Sequence, residues 1–331
     1  MAHTSSMALL ALGACAVTAT APAPAAQRQG PIDAFPTRPI RIVIGFTPGG
    51  QPTIVARIIS VKLSEVLGQQ VIVDNRPGAG GTIGTKIVAD ATPDGYTLLS
   101  ASPSHVIQPA IYAKLPYDTR RDFSGITTTA TGSYMLAVSM SLPFKSVNDL
   151  IAAARAKPGQ LNFGSAGTGS ATHFAGELLK LSAQIDVVHV PYKGIPEAVT
   201  DVVAGRVQFI MTPPATLGAL VKEGKLRALA VTGRERIRSY PDLPTIAESG
   251  VPGFRWETWA GVFAPSKTPR AVIEKLNREI TAVLRMPDVQ QRLLAMEAEP
   301  APCTPAELDA LVAREIVKIA ELARKAGITP Q

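Results

Sequence analysis

Ile40-Arg41-Ile42-Val43-Ile44-Gly45-Phe46, closed by Pro48-Gly49-Gly50 and followed by Ile54, Ile58, Val61 and Val66, carries the architecture of this chain in miniature. A run that is apolar at nearly every position, rather than at alternate ones, marks a strand covered on both faces. Proline and two glycines end it, and apolar residues three to five apart give the next helix a buried stripe. The same strand, turn and helix recur downstream. Further strands are expected at 71–73, 96–99 and 134–138, with helices over 82–91 and 146–156. A second set follows: strands at 162–163, 187–190, 207–211 and 226–231, alternating with helices at 171–181, 196–204 and 215–223. Thr268-Pro269 supplies an N-cap and a first-turn proline for a helix through Val272, Leu276, Ile280 and Val283. Thr304-Pro305-Ala306-Glu307 is a capping box for a last helix running to about 326.

Alternation of this kind builds βαβ units around parallel sheets. Two sets of it predict two α/β lobes, one interrupted by the other: 36–133 with 246–331 as lobe 1, and 134–245 as lobe 2. The first crossing is expected within 100–133, through the loosely patterned threonines at 127–131, and the return within the Pro- and Gly-rich stretch 232–259. A cleft between two such lobes is a common home for a small ligand.

Composition narrows the function classes. With 331 residues, 46% hydrophobic and 18% charged, the chain can bury a core, which excludes disordered and fibrous classes. Lysine and arginine number 33 against 26 acids, a formal charge of +7, which suits an anionic ligand but is spread too evenly for a nucleic-acid patch. Aromatics at 5% give little material for stacking bases, so no nucleic-acid partner is expected. At the N-terminus, residues 7–17 form an uncharged apolar run, followed by Ala-x-Ala registers that place cleavage near Ala25 or Ala26; 1–26 is read as an export signal to the periplasm. The segment before Met7 lacks Lys and Arg, which is atypical of such signals, and Leu12-Gly13-Ala14-Cys15 resembles a lipobox, so a lipid-anchored form through Cys15 stays open. Once the signal is removed Cys303 has no partner, and neither an internal disulfide nor a cysteine metal site is expected.

Four glycine-rich turns stand at strand ends: Pro48-Gly49-Gly50, Pro77 to Gly81, Gly164 to Ser170 and Tyr192-Lys193-Gly194. Without a Cβ, a turn lets a ligand reach main-chain N–H groups, and a helix N-terminus adds about half a positive charge. Each turn alone also reads as an ordinary strand–helix connection; together they point to a binding cleft. Nucleotide fingerprints fail, because Ile83 and Thr172 stand where a third glycine is required, and a hydrolase elbow fails because Phe163 stands two residues before Ser165. His105, His173 and His189 have no metal-ligand spacing. His105 and His173 each read as facing a ligand or a neighbouring turn, whereas His189, inside an apolar run, reads as a core residue.

Arg38 to Val43, Pro48-Gly49-Gly50, Val73 to Gly81, Pro93 to Leu99, Leu115 to Asp118, Gly164 to His173, Val190 to Gly194, Ala228 to Thr232, Asp242 to Glu248 and Phe263-Ala264-Pro265, in this order, strongly resemble the Bug-type family of extracytoplasmic solute-binding proteins of tripartite tricarboxylate transporters. The resemblance spans essentially the whole chain after the signal. It implies a type II periplasmic binding-protein fold, with two α/β lobes, a hinge and an interlobe cleft that closes on a small carboxylate-bearing solute. It implies capture of a small organic acid, delivery to large and small integral membrane subunits, a monomer, no cofactor, no metal and no catalysis. Carried over, lobe 1 contacts come from Phe46, Gly49, Gly50, Gly80, Gly81 and Ser104, and lobe 2 contacts from Ser165, Thr168, Gly169, Ser170, Thr172, His173, Tyr192 and Lys193, with Thr212 near the rim. In the family the carboxylate is held chiefly by loop amides, hydroxyls and ordered water. Two departures bear on the ligand: Thr53 stands where the family commonly has an acid, and Ala260 follows Trp259 where an aromatic is common. The other readings are a ligand-binding component of a sensory system, or an enzyme on the same scaffold; no nucleophile–base pair or paired carboxylates support the latter.

Overall fold

The computed structural model describes residues 1–3 and 34–330. The fold described is that of the unit that begins at Phe35. The segment read as an export signal, Cys15 included, lies from residue 4 on outside the described residues.

In chain order the elements are β1 (Ile40–Ile44), α1 (Gln51–Leu67), β2 (Val71–Asn75), α2 (Thr82–Ala89), β3 (Thr97–Ala101), α3 (Ser104–Ile111) and β4 (Phe123–Ser133). Then come β5 (Met135–Ser139), α4 (Val147–Ala156), β6 (Asn162–Ser165), α5 (Ala171–Ala183), β7 (Val188–Pro191), α6 (Ile195–Val203), β8 (Phe209–Thr212), α7 (Pro214–Lys222) and β9 (Leu226–Val231). The chain ends with β10 (Glu257–Pro265), α8 (Arg270–Leu284), α9 (Pro287–Leu294), β11 (Glu299–Pro300) and α10 (Pro305–Lys325). They form a six-stranded sheet, β11-β4-β10-β3-β1-β2, and a five-stranded sheet, β7-β6-β8-β5-β9.

The two sheets share a plan. β2-β1-β3-β10-β4 in the first corresponds to β7-β6-β8-β5-β9 in the second, and in each the fourth strand runs against its neighbours. That strand is the one each lobe receives from the other: β5 follows directly on β4, and β10 returns after β9. The expectation of parallel sheets therefore holds for β1 with β2 and β3, and for β6 with β7 and β8, while the other pairings are antiparallel. β1 is covered on both faces as its composition requires. Ile40, Ile42 and Ile44 pack with Ile59, Leu63, Leu276 and Ile280, while Val43 joins Val106 and Ile107 on the opposite side.

Three local expectations are corrected. The threonines at 127–131 are not a crossing but the middle of β4, the longest strand. Their hydroxyls are masked by backbone carbonyls, Thr127 donating to Cys303 (3.0 Å) and Thr129 to Ala260 (3.1 Å), so β-branched shape wins over polarity. The buried stripe of α1 is Val55, Ile58, Ile59 and Leu63, and Val61 and Val66 face outward. α8 begins one residue later than the Thr268 cap implies, with Pro269 as its N-cap and the Thr268 hydroxyl unbonded. The Thr304–Glu307 capping box forms as read.

The chain passes between sheets at Tyr134 and again over 232–256. Thr232, fully buried, ties the two passages together. Its hydroxyl accepts from Tyr134 N–H (2.7 Å) and donates to the Trp256 carbonyl (2.7 Å), while its backbone N–H reaches the Tyr134 carbonyl (2.9 Å) and its carbonyl accepts from Trp256 N–H (2.8 Å).

Candidate functional site

A cavity of about 490 Å³, its open mouth included, lies between the two sheets at the C-terminal ends of β1, β3 and β6. That is where open α/β sheets place ligands, because the turns there release helix N-termini toward a common point. Most of the wall is first-turn helical residue: Gly50 to Thr53 of α1, Ser104 of α3, Ser170 to Thr172 of α5, Ile195 of α6 and Pro213 at the head of α7. Ile44, Phe46 and Thr47 after β1, Ser102 after β3, Ala166 after β6, Tyr134 at the crossing and Thr258 of β10 complete it.

Among the described residues the wall holds no Asp, Glu, Lys, Arg or His, in a chain of formal charge +7. Its one titratable side chain, Tyr134, is pushed up to about 12 by burial and stays neutral. Positive potential here comes from the helix ends, each equivalent to about half a charge. Pro213 and Pro214 have no N–H, so these two residues at the head of α7 give the cavity no amide donor of their own.

The lobes touch across the mouth. Ala171 N–H donates to Ser104 Oγ (3.1 Å), and Thr216 Oγ1 donates to the Gly49 carbonyl (3.3 Å). Gly80 lies so close to the Thr168 carbonyl that a Cβ there would sit 2.5 Å from its oxygen, and Gly169 presses likewise on the tip of Ile111.

Of the residues predicted for the site, Phe46, Gly50, Ser104, Ser170 and Thr172 line the cavity. Gly49, Gly80, Thr168 and Gly169 lie on the seam where the lobes meet. Gly81 backs the Phe46 ring, and Thr212, fully buried with its hydroxyl unbonded, sits just before Pro213. Tyr192 donates to Asp201 (2.6 Å) and Lys193 is exposed; neither lines the cavity.

His173 and Ser165 sit beneath the turn. His173 Nδ1 accepts from Gly169 N–H (3.3 Å), its ring stacks on His189 at 3.9 Å, and His189 Nε2 lies 2.6 Å from Ser165 Oγ. Burial holds His173 down to about 4 and His189 to about 3, so both are neutral near pH 7. His189 is thus a satisfied packing residue, as its apolar surroundings suggest. His105, wedged between Phe123 and Phe263, is buried with neither ring nitrogen bonded and lies off the cavity wall.

The glycine-rich turn after β6 does not offer its amides as expected. The N–H groups of Ala166, Gly167, Gly169, Ser170, Ala171 and His173 all bond within the protein. What faces the cavity is hydroxyls, together with first-turn amides such as Thr172, second residue of α5, which has no intrahelical acceptor. The sequence reading missed Thr47, Gln51, Ser102, Tyr134, Ile195, Pro213 and Thr258 as wall residues. Gln51 to Thr53 had a signal, since the residues after a strand-ending double glycine open a helix; Thr258 had none, because it arrives on a strand from a distant part of the chain.

The family described as the tripartite tricarboxylate transporter family receptor matches residues 55–328. A protein from the tcbD–tcbE intergenic region of Pseudomonas sp. strain P51 is 44% identical over 283 residues, covering 85% of this chain and 83% of its own. Among solved structures, R. palustris Rpa4515 with adipate superimposes with a TM-score of 0.87 at 36% identity, covering 90% of this chain and all of that one. The periplasmic binding protein BugD does so with a TM-score of 0.86 at 32% identity, over 90% of this chain and all of that one.

Proposed function

This chain belongs to the tripartite tricarboxylate transporter receptor family, and from that membership we propose that it is a periplasmic solute-binding protein. It captures a small carboxylate-bearing solute by closure of its two lobes and delivers it, unaltered, to the integral subunits of a tripartite membrane transporter. The observation that carries the reading is the cavity wall: helix N-termini from both lobes, no ionisable side chain but a neutral tyrosine. Such a wall favours an anion over a cation, for which it has no carboxylate. The adipate held by Rpa4515 is a small dicarboxylate and agrees with it.

Magnitudes require both lobes. A helix end contributes at most about 2 kcal/mol to an anion and a charge-assisted hydrogen bond about 1.5 to 3, while micromolar affinity needs about 8. Donors on α1 and α3 belong to one sheet and those on α5 to the other, so full affinity is reached only when the mouth is shut. The solute thereby stabilises the closed form. A thermal-shift screen tests this: an acid present at about 100 times its Kd adds about 2.7 kcal/mol of stability, whereas amines of matched size add nothing. A wide acid panel without a shift would remove the anion assignment. Mass spectrometry of the released solute should recover it unchanged; a converted product would make the chain an enzyme.

A further inference from the structure

Four buried hydroxyls on the wall have their oxygens occupied from behind. Thr53 Oγ1 accepts from Asn75 Nδ2 (3.0 Å). Ser104 Oγ accepts from the Ser102 hydroxyl (3.2 Å) and from Ala171 N–H (3.1 Å). Thr172 Oγ1 accepts from Ala166 N–H (2.9 Å) and Ser170 Oγ from His173 N–H (3.2 Å), and these two oxygens, 3.0 Å apart, share one proton and leave the other over. Ser104 Oγ, accepting twice, has only its O–H left for the cavity; Thr53 Oγ1, accepting once from Asn75, keeps one lone pair but has its O–H turned away from that amide, and the Ser170–Thr172 pair keeps one O–H between them. No protein acceptor takes the Thr53 or Ser104 proton among the described residues. A buried donor without an acceptor is costly, so the wall calls for acceptor atoms on whatever fills it.

The sense of the Thr53 hydroxyl is set by Asn75, the last residue of β2, which does not line the cavity. Its Nδ2 also donates to the Phe46 carbonyl (2.8 Å). A carbonyl can only accept, so the amide cannot be turned round, and the second Nδ2 hydrogen must go to Thr53. Gln51, by contrast, has an unbonded Oε1 and no such partner to fix it, so its amide adapts.

We propose that Asn75 is a positioning residue that, by donating to the Thr53 oxygen, leaves the Thr53 O–H for the ligand, and that this wiring favours a carboxylate over its amide or amine counterpart. The inference rests on the acid reading above and adds which residue enforces it. The experiment is calorimetry of straight-chain C4 to C8 dicarboxylates and their diamides against wild type, Asn75→Leu and Asn75→Asp. The leucine frees the hydroxyl without adding charge; the aspartate accepts the Thr53 proton and turns a lone pair toward the cavity. The acid-to-diamide affinity ratio should fall about fivefold for leucine, which only lets the hydroxyl turn, and about fiftyfold for aspartate, which takes one charge-assisted hydrogen bond from the acid. A leucine variant with an unchanged ratio overturns the proposal, since charge repulsion alone would move only the aspartate.

Asn75 also satisfies the Phe46 carbonyl, so folding of these variants is checked against a second pair made at the wall itself. Thr53→Ser should keep the wild-type ratio within about twofold, and Thr53→Val should lose about tenfold in acid affinity. Full acid affinity in Thr53→Val overturns the wiring by itself. Failure of the wild type to bind any acid would instead sink the acid reading, and the wiring would fall with it.

Discussion

The turn after β1 and the turn after β6 hold the same place in two sheets of the same strand order, and they are built by different means. After β1, the N-cap is Gly50, with no side-chain cap; the helix end is left open, and its neighbour Thr53 is oriented by the amide of Asn75, a group that never titrates. After β6, Ser170 caps α5, nearly every amide is bonded inward, and the turn rests on a stack of two imidazoles. Lobe 1 offers backbone and an oriented hydroxyl, whereas lobe 2 offers capped hydroxyls on a braced loop. Equal topology places the helix ends, and local side-chain chemistry decides what they present.

Acid should separate the two turns most. His173 has a folded pKa of about 4 against about 6.5 unfolded, so the unfolded chain takes up a proton that the fold refuses. Its stabilisation is complete above about pH 6.5 and drains away as the pH falls toward 4, to a total of roughly 3 kcal/mol. An imidazolium also loses the lone pair that accepts from Gly169. Hydrogen exchange over 165–173 should rise on acidification well before that over 48–53, and His173→Phe should reduce the dependence, the remainder coming from His189 of the same stack, held to about 3. Equal acid sensitivity of both turns would end the comparison. His105 adds its own acid loss in lobe 1, held down to about 3 by burial, so the local readout matters.

Thr232→Val tests what joins the lobes. It strands the Tyr134 N–H and the Trp256 carbonyl, and about 2.5 kcal/mol of unfolding free energy should go, measured by urea titration. A loss near zero would mean that the crossings are not tied there. Next come the seam glycines. Gly80 and Gly169 both have positive φ, 61° and 77°, so alanine carries a similar backbone cost at each, and the difference reads the seam. Gly80→Ala meets a fixed carbonyl and should weaken acid binding about thirtyfold, whereas Gly169→Ala meets only the movable tip of Ile111 and should weaken it about fivefold. The reverse order by calorimetry would relocate the contact that limits closure. The smallest effect is at the caps: Ser170→Ala should cost about 1 kcal/mol of stability, while Gly50→Ala, with ordinary φ and open space, should cost a few tenths at most.

The strand and helix order was legible because each element declares itself locally: the apolar run of β1, the capping box of α10, the glycines that close each strand. β4 was not, since four threonines in five residues look like a polar connector until backbone carbonyls from β10 and Cys303 take up the hydroxyls of Thr129 and Thr127. The glycine turns were legible as close-approach points, but what approaches several of them is the opposite lobe. Gly80 and Gly169 are spent on closure, and the amides of the 166–173 turn on bracing itself.

The sequence by itself determined the alternation of elements, two lobes around a cleft, and the glycines at strand ends, because periodicity and turn chemistry act over a few residues. Only the tertiary structure decided which atoms face the cavity. Whether a hydroxyl gives or takes a proton depends on what stands behind it. For Thr53 that is Asn75, for Ser104 it is Ala171 of the other lobe, and the contact of such partners, far apart along the chain, exists only once both sheets are folded and closed.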